Sequence, residues 1–190
     1  MGKSARQERG LTKKDLRSKM LKRLKTQKEA DRDRKSRIIK HKLFSTSVFK
    51  EAKVVMFYIS FDGEVNTKGM IEAAQRLGKI IAVPVCRGHR MAIRPCVLQD
   101  KAALGKGPLG VCEPVVKKSI SIRKLDLVVV PGVAFDRAGR RLGRGRGCYD
   151  RFLSRLPRSK FSVGLAFDFQ ILPNLPATET DVSVRKVICK

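Results

Sequence analysis

The stretch LDLVVVPGVAFDRAGRRLGRGRGCYDRFL, residues 125–153, decides how this chain is read. It opens on Leu125-Asp126-Leu127-Val128-Val129-Val130, a short, Val-rich and almost wholly apolar run closed by Pro131-Gly132. Such a run reads as a strand buried on both faces, the kind that fills the sheet of an α/β protein. Glycines then occupy every second position, Gly143, Gly145 and Gly147, with Arg144 and Arg146 between them, and an amphipathic segment opens near Cys148. The loop thus lies between a strand end and a helix N-terminus, where backbone N–H groups and the helix dipole favour an anion. Glycine lets the backbone come close to a phosphate, and arginine adds charge-assisted, often bidentate, hydrogen bonds. On composition alone a solvated turn or an RNA-touching segment is the commoner reading of a Gly/Arg-rich loop.

Two familiar phosphate motifs are absent. Neither Gly78-Lys79 nor Gly105-Lys106 is followed by Ser or Thr, so there is no Walker A loop, and the third glycine of G-x-G-x-x-G is missing whether one starts at Gly143 or Gly145.

At 190 residues with 42% apolar content, the chain is long enough for one domain with a sizeable core. Cys86, Cys96, Cys112, Cys148 and Cys189 are scattered without a C-x-x-C pair, which indicates neither a zinc cage nor a disulfide framework and fits a reducing, cytoplasmic compartment. No apolar run approaches the roughly 18 residues of a membrane span, and the N-terminus lacks the apolar core of a signal peptide. Met1-Gly2 does not make a myristoylation signal, because Arg6 stands where Ser or Thr is needed; a short basic targeting segment over residues 1–10 stays open. The net charge of +26 steers polyanions toward the surface, whether ATP, an oligoglutamyl tail, RNA or an acidic membrane. Charge cannot choose among them.

Along the chain, residues 1–10 read as a flexible basic arm and 11–190 as a single domain. From Thr12 the pattern is helical: Leu16, Met20 and Leu24 recur every four residues and Thr12 with Asp15 makes a capping pair. A second helix is predicted over residues 31–44, a turn over 45–50, a strand over 53–60, a helix over 70–77 stopped by Gly78, and strands over 80–86 and 91–96. Pro84 requires a strand end or a sheet edge nearby. Residues 99–113 read as loop, 150–156 as helix, and 161–168 and 182–188 as the closing strands.

Val130-Pro131-Gly132-Val133-Ala134-Phe135-Asp136, Gly139, and Arg141-Leu142-Gly143-Arg144-Gly145-Arg146-Gly147-Cys148-Tyr149-Asp150 together resemble the signature of 5-formyltetrahydrofolate cyclo-ligase, a long, ungapped match of unusual residue types. Weaker likeness continues through the turn Glu64-Val65-Asn66-Thr67, the segment Gly164-Leu165-Ala166-Phe167 with Gln170, and Pro176 with Asp181. With the strand and helix pattern, the resemblance implies a three-layer α/β/α fold with a largely parallel, mixed central sheet, Rossmann-like, behind an N-terminal helical pair. It also implies ATP- and Mg²⁺-dependent closure of 5-formyltetrahydrofolate, with or without a polyglutamyl tail, to 5,10-methenyltetrahydrofolate; a monomer is expected, with no membrane partner on the hydropathy and only non-specific contact with nucleic acid on the charge.

Site roles follow from the same resemblance. Lys13, Lys14 and Arg17 of the first helix and the run Arg141, Leu142, Gly143, Arg144, Gly145, Arg146, Gly147, Cys148 and Tyr149 would bind ATP. Glu64, Arg144 and Tyr149 would meet the folate, the carboxylate of Glu64 accepting from adjacent pterin N–H groups. Arg144, Arg146 and Tyr149 would be catalytic, and Asp150 and Asp181 would meet Mg²⁺. Two departures stand out. The family pattern has Tyr where this chain has Cys148, and commonly an acid where it has Arg185. Two other readings stay open: a catalytically weakened folate-binding relative, on these departures, and a basic RNA-binding α/β protein, on the net charge of +26 and the Gly/Arg loop.

Overall fold

The computed structural model describes residues 12–88, 91–99, 104–107, 112–115 and 117–190. The arm expected over 1–10 lies outside the described residues. In chain order the elements are α1 (Lys13–Lys25), α2 (Glu29–Phe44), α3 (Ser47–Glu51), β1 (Val54–Met56), α4 (Lys68–Arg76), β2 (Ile80–Arg87), β3 (Ala92–Val97), β4 (Leu104–Lys106), β5 (Cys112–Pro114), β6 (Leu127–Val130), β7 (Ala134–Asp136), β8 (Arg141–Leu142), α5 (Cys148–Leu153), β9 (Phe161–Ala166), β10 (Ile171–Leu172) and β11 (Lys186–Cys189).

Six strands form the central sheet in the order β11-β9-β6-β1-β2-β3, all parallel except β3, which runs antiparallel to β2. The strands are apolar on both faces because both faces are covered. Val55, Phe57, Ile81, Val83, Leu127, Val129, Val163 and Leu165 pack on one side with Ile39 and Leu43 of α2, Phe49 of α3 and Met70 of α4. Their alternates Met56, Ala82, Val128, Val130 and Ala166 meet Phe152 and Leu153 of α5 on the other. This period-two division between two layers of helix confirms the α/β/α expectation. Pro84 is tolerated in β2 because it faces Pro95 across the antiparallel ladder. The Pro95 carbonyl turns outward to accept the Ile120 amide, so neither proline owes a hydrogen bond to the other strand.

Starting from the middle, the chain moves outward through β1, β2 and β3 on one side and through β6, β9 and β11 on the other. The strand order thus reverses between β1 and β6, and the crevice beyond their C-terminal ends is where ligands of open α/β sheets bind.

Several local expectations need correction. Residues 45–50 are not simply a turn: Thr46 caps the short helix α3, whose Phe49 stacks on Phe44 at 3.9 Å and anchors it to the core. Within 99–113, β4 pairs antiparallel with β5, so that stretch carries a hairpin. A second small sheet, β10-β7-β8, forms just past β6 and packs with α1 through Met20, Val133, Ala134, Leu142 and Leu175. Among the described residues no helix is long and apolar enough to cross a membrane.

Candidate active site

A cavity of about 890 Å³ opens at the crevice between β1 and β6. Its walls come from α1 (Lys13, Arg17), the segment after β1 (Tyr58, Phe61, Glu64), β2 (Cys86), β5 (Glu113), the turn after β6 (Pro131, Gly132), the glycine–arginine loop from Arg141 to Gly147, the start of α5, and the turn holding Asp181. Residues as far apart as Lys13 and Asp181, 168 positions, meet here because α1 lies against the loops that leave the C-terminal ends of the central strands.

The loop approaches α1 closely. Arg17 Nε donates to the Gly143 carbonyl at 2.9 Å, and a Cβ added at Gly145 would lie 3.5 Å from the Arg17 guanidinium. Gly145 and Gly147 have φ of 101° and 61°, in the left-handed region where only glycine is unstrained; Gly147 is the N-cap of α5. Arg146 is exposed at the cavity wall and makes no ion pair with any described residue. α1 is held over the loop by Arg23, whose guanidinium lies 4.5 Å from the centre of the Phe169 ring.

Arg144 points to the opposite end. Its Nη1 meets Asp62 Oδ2 at 3.0 Å, its Nε meets Glu64 Oε1 at 3.2 Å, and its guanidinium lies 4.1 Å from the centre of the Phe61 ring. Burial pushes the Glu64 carboxyl up to about 7, against the pull of Arg144 and of the Phe61 amide. Burial, and after it the Glu64 charge, keep the Tyr149 phenol protonated, and its hydroxyl is buried without a hydrogen-bond partner among the described residues. Arg144 Nη2 and Arg141 Nε are also buried with no partner among them. Three unmatched donors in the wall of one cavity are groups that a ligand would satisfy.

Both candidate metal carboxylates are on the wall, and each already faces a cation. Asp150 Oδ1 accepts from Arg141 Nη2 at 2.8 Å and from the Val182 amide at 3.4 Å. Asp181 pairs with Lys13 and accepts from the Thr178 amide at 2.7 Å. Partial burial pushes the Asp181 carboxyl up, but the hydrogen bonds from Lys13 and Thr178 and the Lys13 charge together hold it below its ordinary range. Among the described residues no cluster of three or more His, Cys, Asp or Glu side chains could hold a metal ion alone.

Most of the residues proposed from sequence are brought together: Lys13, Arg17, Glu64, the run from Arg141 to Asp150, and Asp181 all line the cavity. Lys14 does not. It is exposed and absent from the wall, because one helical step carries it about 100° around α1 from Lys13, whereas Arg17, four residues on, shares the Lys13 face. Arg185 bonds the Arg158 carbonyl and lies over the Phe161 ring, away from the cavity wall. Sequence reasoning missed Asp62 and Phe61, which clamp Arg144, and Glu113, which accepts the Cys86 amide at 2.9 Å and pairs with Lys117 at 3.2 Å. The Asp62-Gly63 turn signal was present for the first two; nothing local marks Glu113.

A family model for the 5-formyltetrahydrofolate cyclo-ligase family matches residues 9–190. The chain belongs to that family. A mouse 5-formyltetrahydrofolate cyclo-ligase is 30% identical over 187 residues, covering 93% of this chain and 92% of its own. The enzyme of the same name from Escherichia coli K12 is 34% identical over 144 residues, covering 72% and 78%. Among solved structures, the Aquifex aeolicus 5,10-methenyltetrahydrofolate synthetase superposes with a TM-score of 0.84 at 33% identity, covering 94% of this chain and 90% of that one. The family match covers every residue of the cavity wall, from Lys13 to Asp181.

Proposed function

We propose that this chain catalyses ATP- and Mg²⁺-dependent cyclisation of 5-formyltetrahydrofolate to 5,10-methenyltetrahydrofolate, with ADP and phosphate released. The observation that carries the reading is the polarity of the cavity: a cationic glycine loop and helix face at one end, and a buried carboxylate with an unpartnered phenol at the other. Those are the complements of a triphosphate and of a ring system with adjacent N–H donors.

The chemistry asks for position and charge more than for a protein nucleophile. A formamide oxygen leaves poorly; once it carries a phosphoryl group, N10 attacks the activated carbon and phosphate departs. Lys13, Arg17 and Arg146 would hold the triphosphate together with backbone amides of Gly143 to Gly147. Arg144 sits between Glu64 and the loop, where its free Nη2 would reach the transferring group or the formyl oxygen. Glu64 would orient the pterin, and Tyr149 would donate its unmatched hydroxyl to the folate. Asp150 and Asp181 would hold Mg²⁺, which supplies charge neutralisation on the phosphate oxygens. Two carboxylates fit this ion because magnesium takes one or two of them and completes its shell with phosphate oxygens and water.

The cysteines whose side chains are described, Cys86, Cys96, Cys148 and Cys189, are unpaired, which supports a reducing, cytoplasmic setting. The test is growth of the methenyl chromophore when purified protein meets 5-formyltetrahydrofolate. Conversion only with both ATP and Mg²⁺ is expected; conversion without ATP, or none across pH and protein concentration, overturns the reading.

A further inference from the structure

Arg144 is held by a carboxylate to which the reaction above gives no part. Phe61 to Glu64 close a tight turn after β1, with the Glu64 amide donating to the Phe61 carbonyl at 3.2 Å. Within it Asp62 has φ of 53° and Gly63 of 82°. Left-handed backbone suits glycine best and admits Asp or Asn, so the turn by itself gives no reason for a carboxylate at position 62. Arg144 gives one. Its Nη1 meets Asp62 Oδ2 at 3.0 Å, its Nε meets Glu64 Oε1 at 3.2 Å, and its flat face lies on the Phe61 ring. Two contacts at separate nitrogens fix the rotation of a planar guanidinium, and the ring fixes its tilt. Nη2 is left over, buried with no partner among the described residues.

One helix sets the distance between the two halves of this clamp. Near its start, Arg17 of α1 holds the Gly143 carbonyl at 2.9 Å, next to Arg144 in the chain. At its far end α1 receives the acidic turn: Gln27 Nε2, just past the helix, donates to the Gly63 carbonyl at 3.2 Å, and Lys25 Nζ lies 3.5 Å from Asp62 Oδ1. The approach is so close that a Cβ at Gly63 would collide with the Leu24 carbonyl oxygen. Arg17 and Leu24 lie about 10 Å apart along the helix axis, so the span from the Arg144 backbone to its acids is set before any substrate arrives. We propose that Asp62 is a positioning residue, whose acceptor oxygen aims the Arg144 guanidinium so that Nη2 faces the atoms that react. What Nη2 meets rests on the function proposed above; the aiming is a property of the unliganded chain. Asp62 itself touches no substrate, so its loss costs rate rather than binding.

The experiment sets Asp62→Gly, which removes the acceptor and relaxes the left-handed φ, beside Asp62→Asn, which keeps an acceptor oxygen and drops the charge. In Asp62→Gly, kcat should fall on the order of thirtyfold with KM for folate and for ATP within a factor of about three, the pattern of a group that acts only in the transition state. Asp62→Asn should recover kcat to within about fivefold of the parent chain, because Nη1 still finds an oxygen. Lys25→Ala removes the other partner of Asp62, a largely solvated one, and should leave kcat within a factor of about two. A parent-like kcat in Asp62→Gly, a loss that appears as a raised KM for ATP, or an Asp62→Asn no better than Asp62→Gly overturns the proposal. A second readout needs no substrate. The nitrogen-15 resonance of Arg144 Nε, assigned by its disappearance in Arg144→Lys, should exchange its proton slowly in the parent chain and in Asp62→Asn and fast in Asp62→Gly; equal rates in all three overturn the proposal. If those rates differ as expected but the parent chain never cyclises folate, the aiming stands and the proposed function falls.

Discussion

Glu64 and Asp181 mark the two ends of the cavity, and each is paired with a cation, yet their acidities move in opposite directions. Glu64 is pushed up to about 7 because burial outweighs Arg144. Asp181 is held below its ordinary range because it is only partly buried and Lys13 and Thr178 outweigh that burial. The same kind of contact therefore produces a nearly neutral acid at one end and a firm anion at the other; solvent decides which. The buried end can discriminate by hydrogen bonding, since an unmatched group there is costly, while the open end can exchange one cation for another at little cost.

The sharpest way to break this contrast is Arg144→Ala. Removal leaves Glu64 without its cation, while Asp62 keeps Lys25 at 3.5 Å, and takes away one of the forces that lowers Glu64, so its carboxyl rises further. The specificity constant for folate should fall on the order of a hundredfold, as for a truncated buried charge pair, with a smaller change in that for ATP. A larger ATP effect would show that Arg144 leaves Glu64 for the triphosphate once the site is filled.

Glu64→Gln should weaken folate about tenfold and leave ATP unchanged, because the amide keeps the shape but offers one acceptor and a misplaced donor. Its pH behaviour is more telling. In the parent chain the carboxylate needed by the pterin forms only as pH rises through about 7, so folate affinity should climb over that range and be flat in Glu64→Gln. Stability should run the other way. A carboxyl raised from 4.5 to about 7 contributes stability that is fully present below 4.5 and lost as pH rises through about 7, and denaturant titration of Glu64→Gln should lack that loss. Asp181, lowered from 3.8, contributes stability above that value that is lost as pH falls through its folded value.

How much of this was legible differs by element for physical reasons. β6 was readable because a strand covered on both faces is apolar at every position, and its site could be inferred because loops at strand ends carry the ligands of such sheets. β7, β8 and β10 were not, since strands of two or three residues hold no periodicity and owe their pairing to distant partners. α3 was missed for the same shortness; only its Thr46 cap and the Phe49 anchor define it. The phosphate-like loop was plain in its glycines, but the direction of Arg144 was not, because the acids that draw it there, Asp62 and Glu64, are about eighty residues upstream. Glu113 was invisible: its meaning lies in the amide of Cys86, 27 positions away.

The smallest effects test the open end, by setting Lys13→Ala beside Lys14→Ala. Lys13 bridges α1 to the Asp181 turn and lines the cavity, so its loss should raise the ATP requirement about tenfold, one charge-assisted contact's worth, and let the Asp181 carboxyl drift back toward its ordinary value. Stability should change little, because the pair is partly solvated and water replaces what the lysine supplied. Lys14 has the same charge, the next position and none of the contacts, so Lys14→Ala should leave both substrate requirements within a factor of about two. Equal losses in the two variants would mean that α1 works as a diffuse positive field, and that the pairing of Lys13 with Asp181 is incidental to nucleotide binding. A loss confined to Lys13 that persists at raised ionic strength would mean a defined contact, since screening removes a field from a distance but not a hydrogen-bonded neighbour.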